Sequence, residues 1–363
     1  MSVEPIQNEF LRQAGGHFET IPSCEIVAHF GHPAREYEVA RAGAGLYPAL
    51  DRGMIEITGV DRAAWLHNLV TNAVRDLQPG DGNYTFAANL KGRILFDLNV
   101  LVCPGAIRLD LDRRAVPVAL NHFNRYLITE DVVIEDMTAS YARFALVGPR
   151  APEVAANAGV PETAAMAQLA PAFVDLPGQR VMVFRHDSAG VFGLEICVPA
   201  EFADEVWSHL LDVGRPAGIQ PVGRSALRTL RIEAGIPVWG EEIDDQVLPA
   251  ETLQLDRAVS FNKGCYLGHE VIERVRSHHA LPRKLVGLRL AQLPADATLP
   301  IPLRADDKVV GRLMSFCHSP GVGAPIGLGY LLSACANPGA TVVVATDPLI
   351  EAQVAPLPFQ PAK

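Results

Sequence analysis

The pattern of elements changes once along this chain, and that change limits the folds open to it. Up to about residue 283, short strands alternate with amphipathic helices. Beyond it only strands and turns recur, over residues 285–290, 309–316, 326–332 and 341–345. A run of strands after a mixed region argues for an α+β body followed by a small β domain. At 363 residues the chain is long for one hydrophobic core, which predicts two or three domains. Its hydrophobic fraction of 49% and charged fraction of 20% match a soluble globular protein. A formal net charge of −10 weighs against general nucleic-acid binding, which needs a basic surface, so no direct DNA binding is expected.

Within the body, residues 34–44 read as a helix closed by Gly43 and Gly45, and residues 54–58 alternate as a strand. Asp61 starts a helix with Trp65, Leu66, Leu69 and Val70 on one face. Pro79-Gly80-Asp81-Gly82 turns the chain, and strands follow over 84–88, 94–102 and 106–111, then a helix over 116–126. Strands over 141–147, 179–185 and 193–198 precede two more helices. The first, 201–213, places Phe202, Val206 and Leu210 at i, i+4 and i+8. The second, 222–234, is stopped by Gly235 and Pro237. The first thirty-odd residues carry little periodicity, and the Pro- and Ala-rich tail, 355–363, reads as loose.

The N-terminus has neither a basic start nor an apolar signal-peptide core, and no apolar run approaches membrane-spanning length. Together these predict a cytoplasmic protein with no membrane partner. Cys24, Cys103, Cys197, Cys265, Cys317 and Cys335 are scattered, and none forms a Cys-x-x-Cys pair. That pattern fits reduced, mostly buried thiols better than a disulfide framework or a metal site.

Several residues are candidates for chemistry. Lys263-Gly264-Cys265-Tyr266-Leu267-Gly268-His269-Glu270 places a thiol between a lysine and an aromatic ring, with a glycine on either side. A cationic neighbour favours thiolate; the plainer reading is a turn with a buried, inert cysteine. Glu195 sits on a strand among apolar neighbours, where a carboxylate is costly unless paired; alternatively it faces water at a strand edge. Asp97 lies on the strand over 94–102, either as a ligand-orienting acid or as a turn cap. Arg224, Arg228 and Arg231 share one helix face, as an anion site or as partners for Glu241-Glu242 and Asp244-Asp245. Tyr84, Trp239 and Tyr266 are candidates for stacking on a flat ring or for the core. The basic run of Arg274, Arg276, His278, His279, Arg283 and Lys284 reads as a solvated linker into the β domain, or as a contact for RNA or an acidic partner.

The Lys-Gly-Cys-Tyr-x-Gly-x-Glu motif resembles the signature of the YgfZ-type folate-binding proteins, relatives of the glycine cleavage T-protein, an aminomethyltransferase. His269 stands where that family usually has Gln. Further fragments resemble the T-protein family in the same order. They are Gly59-Val60-Asp61, Thr71-Asn72, Gly80-Asp81-Gly82-Asn83-Tyr84-Thr85, Gly92-Arg93-Ile94-Leu95-Phe96-Asp97-Leu98, Phe192-Gly193-Leu194-Glu195-Ile196, Leu230-Arg231-Ile232-Glu233-Ala234-Gly235-Ile236-Pro237, Gly311-Arg312-Leu313-Met314-Ser315 and Gly327-Leu328-Gly329-Tyr330.

The resemblance implies a three-lobed ring of α+β type with a C-terminal β-barrel. Its implied parts are a discontinuous first folate-binding lobe (34–52 plus 140–250), a second lobe (53–139), a connector carrying the cysteine motif (251–282) and the barrel (283–355). It implies that tetrahydrofolate or a derivative is held in a central channel by Glu195 and Asp97, with Tyr84, Arg231, Trp239 and Tyr266 as further contacts. Cys265, Asp97 and Lys263 are then the residues expected to carry chemistry, and no metal site is expected. The implied function is support for assembly or repair of iron–sulfur enzymes, including tRNA-modifying ones, with those client enzymes as partners. The rival is a folate-dependent aminomethyltransferase or methyltransferase acting on a one-carbon amine donor. Against that rival stands Phe96, which replaces one of the paired aspartates of the aminomethyltransferases.

Overall fold

The computed structural model describes residues 8–22, 24–160, 162–176, 178–277, 281–295 and 297–360, so His278 and His279 of the basic run lie outside the described residues. The chain divides into two compact units. The first comprises residues 1–67, 73–85 and 98–228, and the second residues 68–72, 86–97 and 229–363.

The first unit opens with helix α1 (Glu9–Gln13) and a hairpin of β1 (His17–Ile21) and β2 (Cys24–His29), followed by α2 (Pro33–Ala42), β3 (Gly45–Pro48), β4 (Arg52–Thr58) and α3 (Arg62–His67). Strands β5 (Gly82–Ala88) and β6 (Ile94–Cys103) form a hairpin whose base belongs to this unit. After β7 (Ala106–Asp112), α4 (Val116–Arg125), β8 (Val133–Asp136) and β9 (Tyr141–Val147) come α5 (Ala151–Asn157), β10 (Ala172–Leu176), β11 (Gln179–Arg185), β12 (Gly193–Pro199), α6 (Ala203–Gly214), β13 (Gln220–Pro221) and α7 (Arg224–Ala234). Two sheets result, ordered β10-β11-β12-β9-β3-β13 and β5-β6-β7-β4-β8.

Strand alternation sorts the first sheet into two unlike faces. Phe144 and Leu146 of β9 and Leu194, Ile196 and Val198 of β12 pack with Val154, Val206, Trp207 and Leu210 of α5 and α6 in one apolar core. Full burial of each such side chain contributes about 1.5–3 kcal/mol. The other parity of the same strands carries Arg143, Glu195 and Cys197, with Cys197 opposite Arg143 and Glu195 opposite Ala145. The second sheet repeats this division. Leu109 and Leu111 of β7 are buried on one side of Asp110, while Asp110 itself lies opposite Asn99 of β6 and Met54 of β4.

In the second unit the chain passes through α8 (Leu255–Ala258) and α9 (His269–Ser277) into six strands, β14 (Arg283–Leu290), β15 (Ile301–Ala305), β16 (Lys308–Ser319), β17 (Ala324–Leu332), β18 (Thr341–Val344) and β19 (Ile350–Ala355). These close as a barrel in the order β14-β17-β16-β15-β18-β19. Closure leaves no edge strand to pair with another chain, and Leu288, Leu303, Leu313, Leu331 and Val344 fill the interior. The strand-only C-terminal pattern therefore becomes a closed barrel, and the α+β class holds.

Three local expectations are corrected. The N-terminal segment is a hairpin anchored by buried Ile26 and Val27, with Leu11 buried beside it. The helix begun near Asp61 ends at His67, whose Nδ1 accepts the Val74 and Arg75 N–H groups at 3.2 and 3.1 Å, and Val70 instead bridges to Ala87 as β-structure. The tail is fixed through residue 360: Phe359 is buried and its N–H donates to Glu233 O at 2.8 Å.

Candidate functional site

Glu195 is 5% exposed, so it faces the protein and not water. Arg143 Nε donates to Glu195 Oε2 at 2.8 Å, while Oε1 stands 4.0 Å from His186 Nδ1, beyond hydrogen-bond reach. Arg143 also donates through Nη1 to Asp110 Oδ1. Asp110 collects two further partners. Arg52 forks onto it, Nε to Oδ1 at 3.0 Å and Nη2 to Oδ2 at 2.8 Å, and Asn99 Nδ2 donates to Oδ2 at 2.7 Å. The polar parities of the two sheets thus meet in one buried cluster. Two guanidinium groups balance two carboxylates, the condition under which buried charge is tolerated.

The electrostatics differ at the two acids. Burial raises the Glu195 pKa, and Arg143 offsets this only in part. Burial also pushes Asp110 up, but Arg143 and Arg52 together outweigh it and hold that carboxyl below its usual range. Burial pushes the Cys197 thiol up to about 12, so it stays protonated at neutral pH. Sequence reasoning found Glu195 and missed Arg143, Asp110, Arg52 and Asn99. Their signal was a charged or amide residue at one parity of a strand whose other parity is apolar, as in Leu109-Asp110-Leu111.

Asp97 lies on the part of β6 that belongs to the second unit. Phe96 is wholly buried and Asp97 half-buried. Successive strand residues face opposite sides, so the aromatic occupies the core side and leaves the acid on the other. Trp239 donates its indole N–H to Leu95 O at 2.8 Å, and Ile94 N donates to Val247 O at 3.0 Å. The structure therefore brings Trp239 to the segment that carries Asp97. Tyr84 is buried on β5 in the first unit.

The cysteine motif is split by its own turn. Cys265 is exposed, which removes the buried-thiol reading. Lys263 turns inward: its Nζ donates to Val70 O at 2.6 Å and Asn72 O at 2.7 Å and stands 5.1 Å from the Tyr266 ring centroid. The Tyr266 ring is buried, 4.8 Å from the His269 ring. Gly268, at φ +80, passes so close that an added Cβ would stand 2.4 Å from Asn89 O; only glycine fits.

Arg231 is buried and bonded to both Glu241 and Glu242, the latter at 2.8 Å. These bonds brace the segment after α7. Arg224 lies 3.7 Å from Asp51 and 3.6 Å from Glu19. Among the described residues no cluster of three or more His, Cys, Asp and Glu side chains could hold a metal ion. No helix among them is long and apolar enough to cross a membrane.

Fold and site define an α+β protein with a closed C-terminal barrel and a buried acid held between two sheets. Residues 8–263 match the GCVT N-terminal domain, and residues 283–360 match the glycine cleavage T-protein C-terminal barrel domain. The chain belongs to the glycine cleavage T-protein family, which uses tetrahydrofolate. Among similar proteins is an aminomethyltransferase of Chloroherpeton thalassium, 28% identical over 352 residues, covering 96% of each chain. Another, from Bacillus subtilis, is 27% identical over 366 residues and covers 97% of each. A solved structure, the glycine cleavage system aminomethyltransferase T from Bartonella henselae, matches with a TM-score of 0.86 at 22% identity over 98% of both chains. It shares the fold.

Proposed function

We propose that this chain binds tetrahydrofolate and takes part in one-carbon transfer of the aminomethyltransferase type. The observation that carries the reading is the placement of residues 96 and 97. Phe96 is buried on the core side of β6, so its aromatic ring takes no charge from the opposite side, where Asp97 stands. The objection drawn from the lost aspartate therefore weakens. Glu195 fits the pterin: a buried carboxylate with one oxygen held by Arg143 keeps its other oxygen for ring N–H donors. Tetrahydrofolate, when bound, supplies the nitrogen that takes up the one-carbon unit. In this reading Glu195 binds and orients the pterin, and the transfer depends on the Asp97 carboxylate.

Incubation with tetrahydrofolate and a one-carbon amine donor tests the proposal. Formation of methylene-tetrahydrofolate that falls at least about 100-fold in Asp97→Asn is expected; no product from the unaltered protein argues against transfer.

A second reading is favoured by one feature, the exposed Cys265 in a Lys-Gly-Cys-Tyr motif. In that reading the chain is of the YgfZ type and supports iron–sulfur enzymes, including tRNA-modifying ones, with the thiol meeting the client. Loss of cellular iron–sulfur enzyme activity in Cys265→Ala, with tetrahydrofolate binding intact, supports it. Full activity in that variant removes the thiol from it.

A further inference from the structure

The segment after α7, residues 237–252, bonds to three successive residues of β6 just ahead of Asp97. Arg93 Nη1 donates to Gln246 O, Ile94 N donates to Val247 O at 3.0 Å, and Trp239 Nε1 donates to Leu95 O at 2.8 Å. All of these residues belong to the second unit. The ladder with β7 runs from Asn99 to Cys103 and so starts beyond Asp97. Leu95 and Asp97 stand two residues apart on the strand, hence on the same side and about 6.6 Å from each other.

Trp239 is itself held from behind. It opens a turn in which Gly240 N donates to Ile243 O at 2.9 Å, and Trp239 and Ile243 bridge as β-structure. Glu242 is wholly buried, and its Oε2 accepts Val238 N at 3.1 Å and Arg231 Nη1 at 2.8 Å. The far end of the segment is tied as well. Arg283 forks onto buried Glu251, Nε to Oε1 at 2.8 Å and Nη2 to Oε2 at 3.2 Å, and it also donates to Gln246 O. Letting go of either arginine would strand a buried carboxylate, so the turn keeps one arrangement. An indole has one N–H donor and no acceptor. Trp239 spends that donor on the strand, although the family resemblance implies a ligand contact for it.

We propose that Trp239 is a positioning residue for the transfer. Its bond to Leu95 O, backed by Arg231 and Glu242, sets where the Asp97 carboxylate stands, and its ring does not carry the ligand. The proposal rests on the one-carbon-transfer reading above and deepens it. A shift of about 1 Å at a reacting centre can cost about 100-fold in rate, so loss of this bond is expected to show in the rate and not in the affinity.

Trp239→Phe keeps a ring and removes the N–H. At saturating tetrahydrofolate, with the same one-carbon amine donor, its rate of methylene-tetrahydrofolate formation is expected to fall at least about tenfold. Its tetrahydrofolate affinity should stay within about threefold. Amide hydrogen exchange over residues 93–97 should quicken at least about tenfold, with β16 and β17 unchanged. In an Asp97→Asn background the same substitution should lower the rate by less than about twofold more. Tenfold weaker tetrahydrofolate binding with the saturated rate intact would place the indole on the ligand and overturn the proposal. Unchanged exchange over residues 93–97, or losses that multiply in the double variant, would overturn it too. If the unaltered chain forms no product, the transfer reading fails, and the exchange data alone decide whether Trp239 holds the segment. Should Trp239→Phe not fold, nitrogen-15 NMR of the Trp239 indole in the unaltered chain decides. Slow N–H exchange with and without tetrahydrofolate is expected; protection that appears only with tetrahydrofolate, or none at all, overturns the brace.

Discussion

Arg143 serves two acids with one guanidinium, Glu195 through Nε and Asp110 through Nη1. Removing it leaves two buried carboxylates sharing the single charge of Arg52. Arg143→Met is expected to lower stability by about 3–5 kcal/mol in urea denaturation, because breaking a buried pair strands charge. Arg143→Lys should lie between, since an ammonium lacks the planar fork that spans both partners. His122 gives a pH-dependent case. Burial, with Arg125 adding to it, lowers its pKa to about 4. Between pH 6.5 and about 4 the unfolded chain therefore takes up a proton at this site that the folded chain refuses, and stability falls as pH drops through that window. Urea midpoints at pH 6.5, 5 and 4 should fall less steeply in His122→Gln than in the unaltered protein; equal slopes would show that His122 does not contribute.

At the scale of elements, apolar periodicity was the legible signal, and it located the strands around Ala145, Val183 and Ile196 and the helix around Leu210. Helices and strands that bury a full stripe announce themselves in this way. The hairpin around Ile26 did not, because it buries few side chains on a short two-stranded piece. The helix at Trp65 was read too long for a different reason. Its end is set by the His67 ring accepting two backbone N–H groups, a capping geometry that periodicity cannot register. Within the site, Glu195 was legible as a charge among apolar neighbours, but the partnership with Arg143 and Asp110 depends on two sheets meeting, which no single strand encodes. In the barrel, Gly311 sits where an added Cβ would lie 2.0 Å from Tyr330 O. Gly311→Ala should destabilise the protein by about 1–3 kcal/mol through overpacking, read as a lowered urea midpoint. An unchanged midpoint would mean that the β16–β17 pairing can shift to admit a methyl group.

At the scale of the whole molecule, family, fold and buried acid converge on a folate-dependent protein of the T-protein type. In the proposed function Glu195 grips the pterin. Titration of tetrahydrofolate into the unaltered chain and into Glu195→Ala tests it most directly. Two charge-assisted hydrogen bonds of about 1.5–3 kcal/mol each predict saturable binding in the first and at least about 100-fold weaker binding in the second, with the circular dichroism spectrum unchanged. Equal affinity in the two proteins, or no saturable binding in either, would contradict the assignment of Glu195.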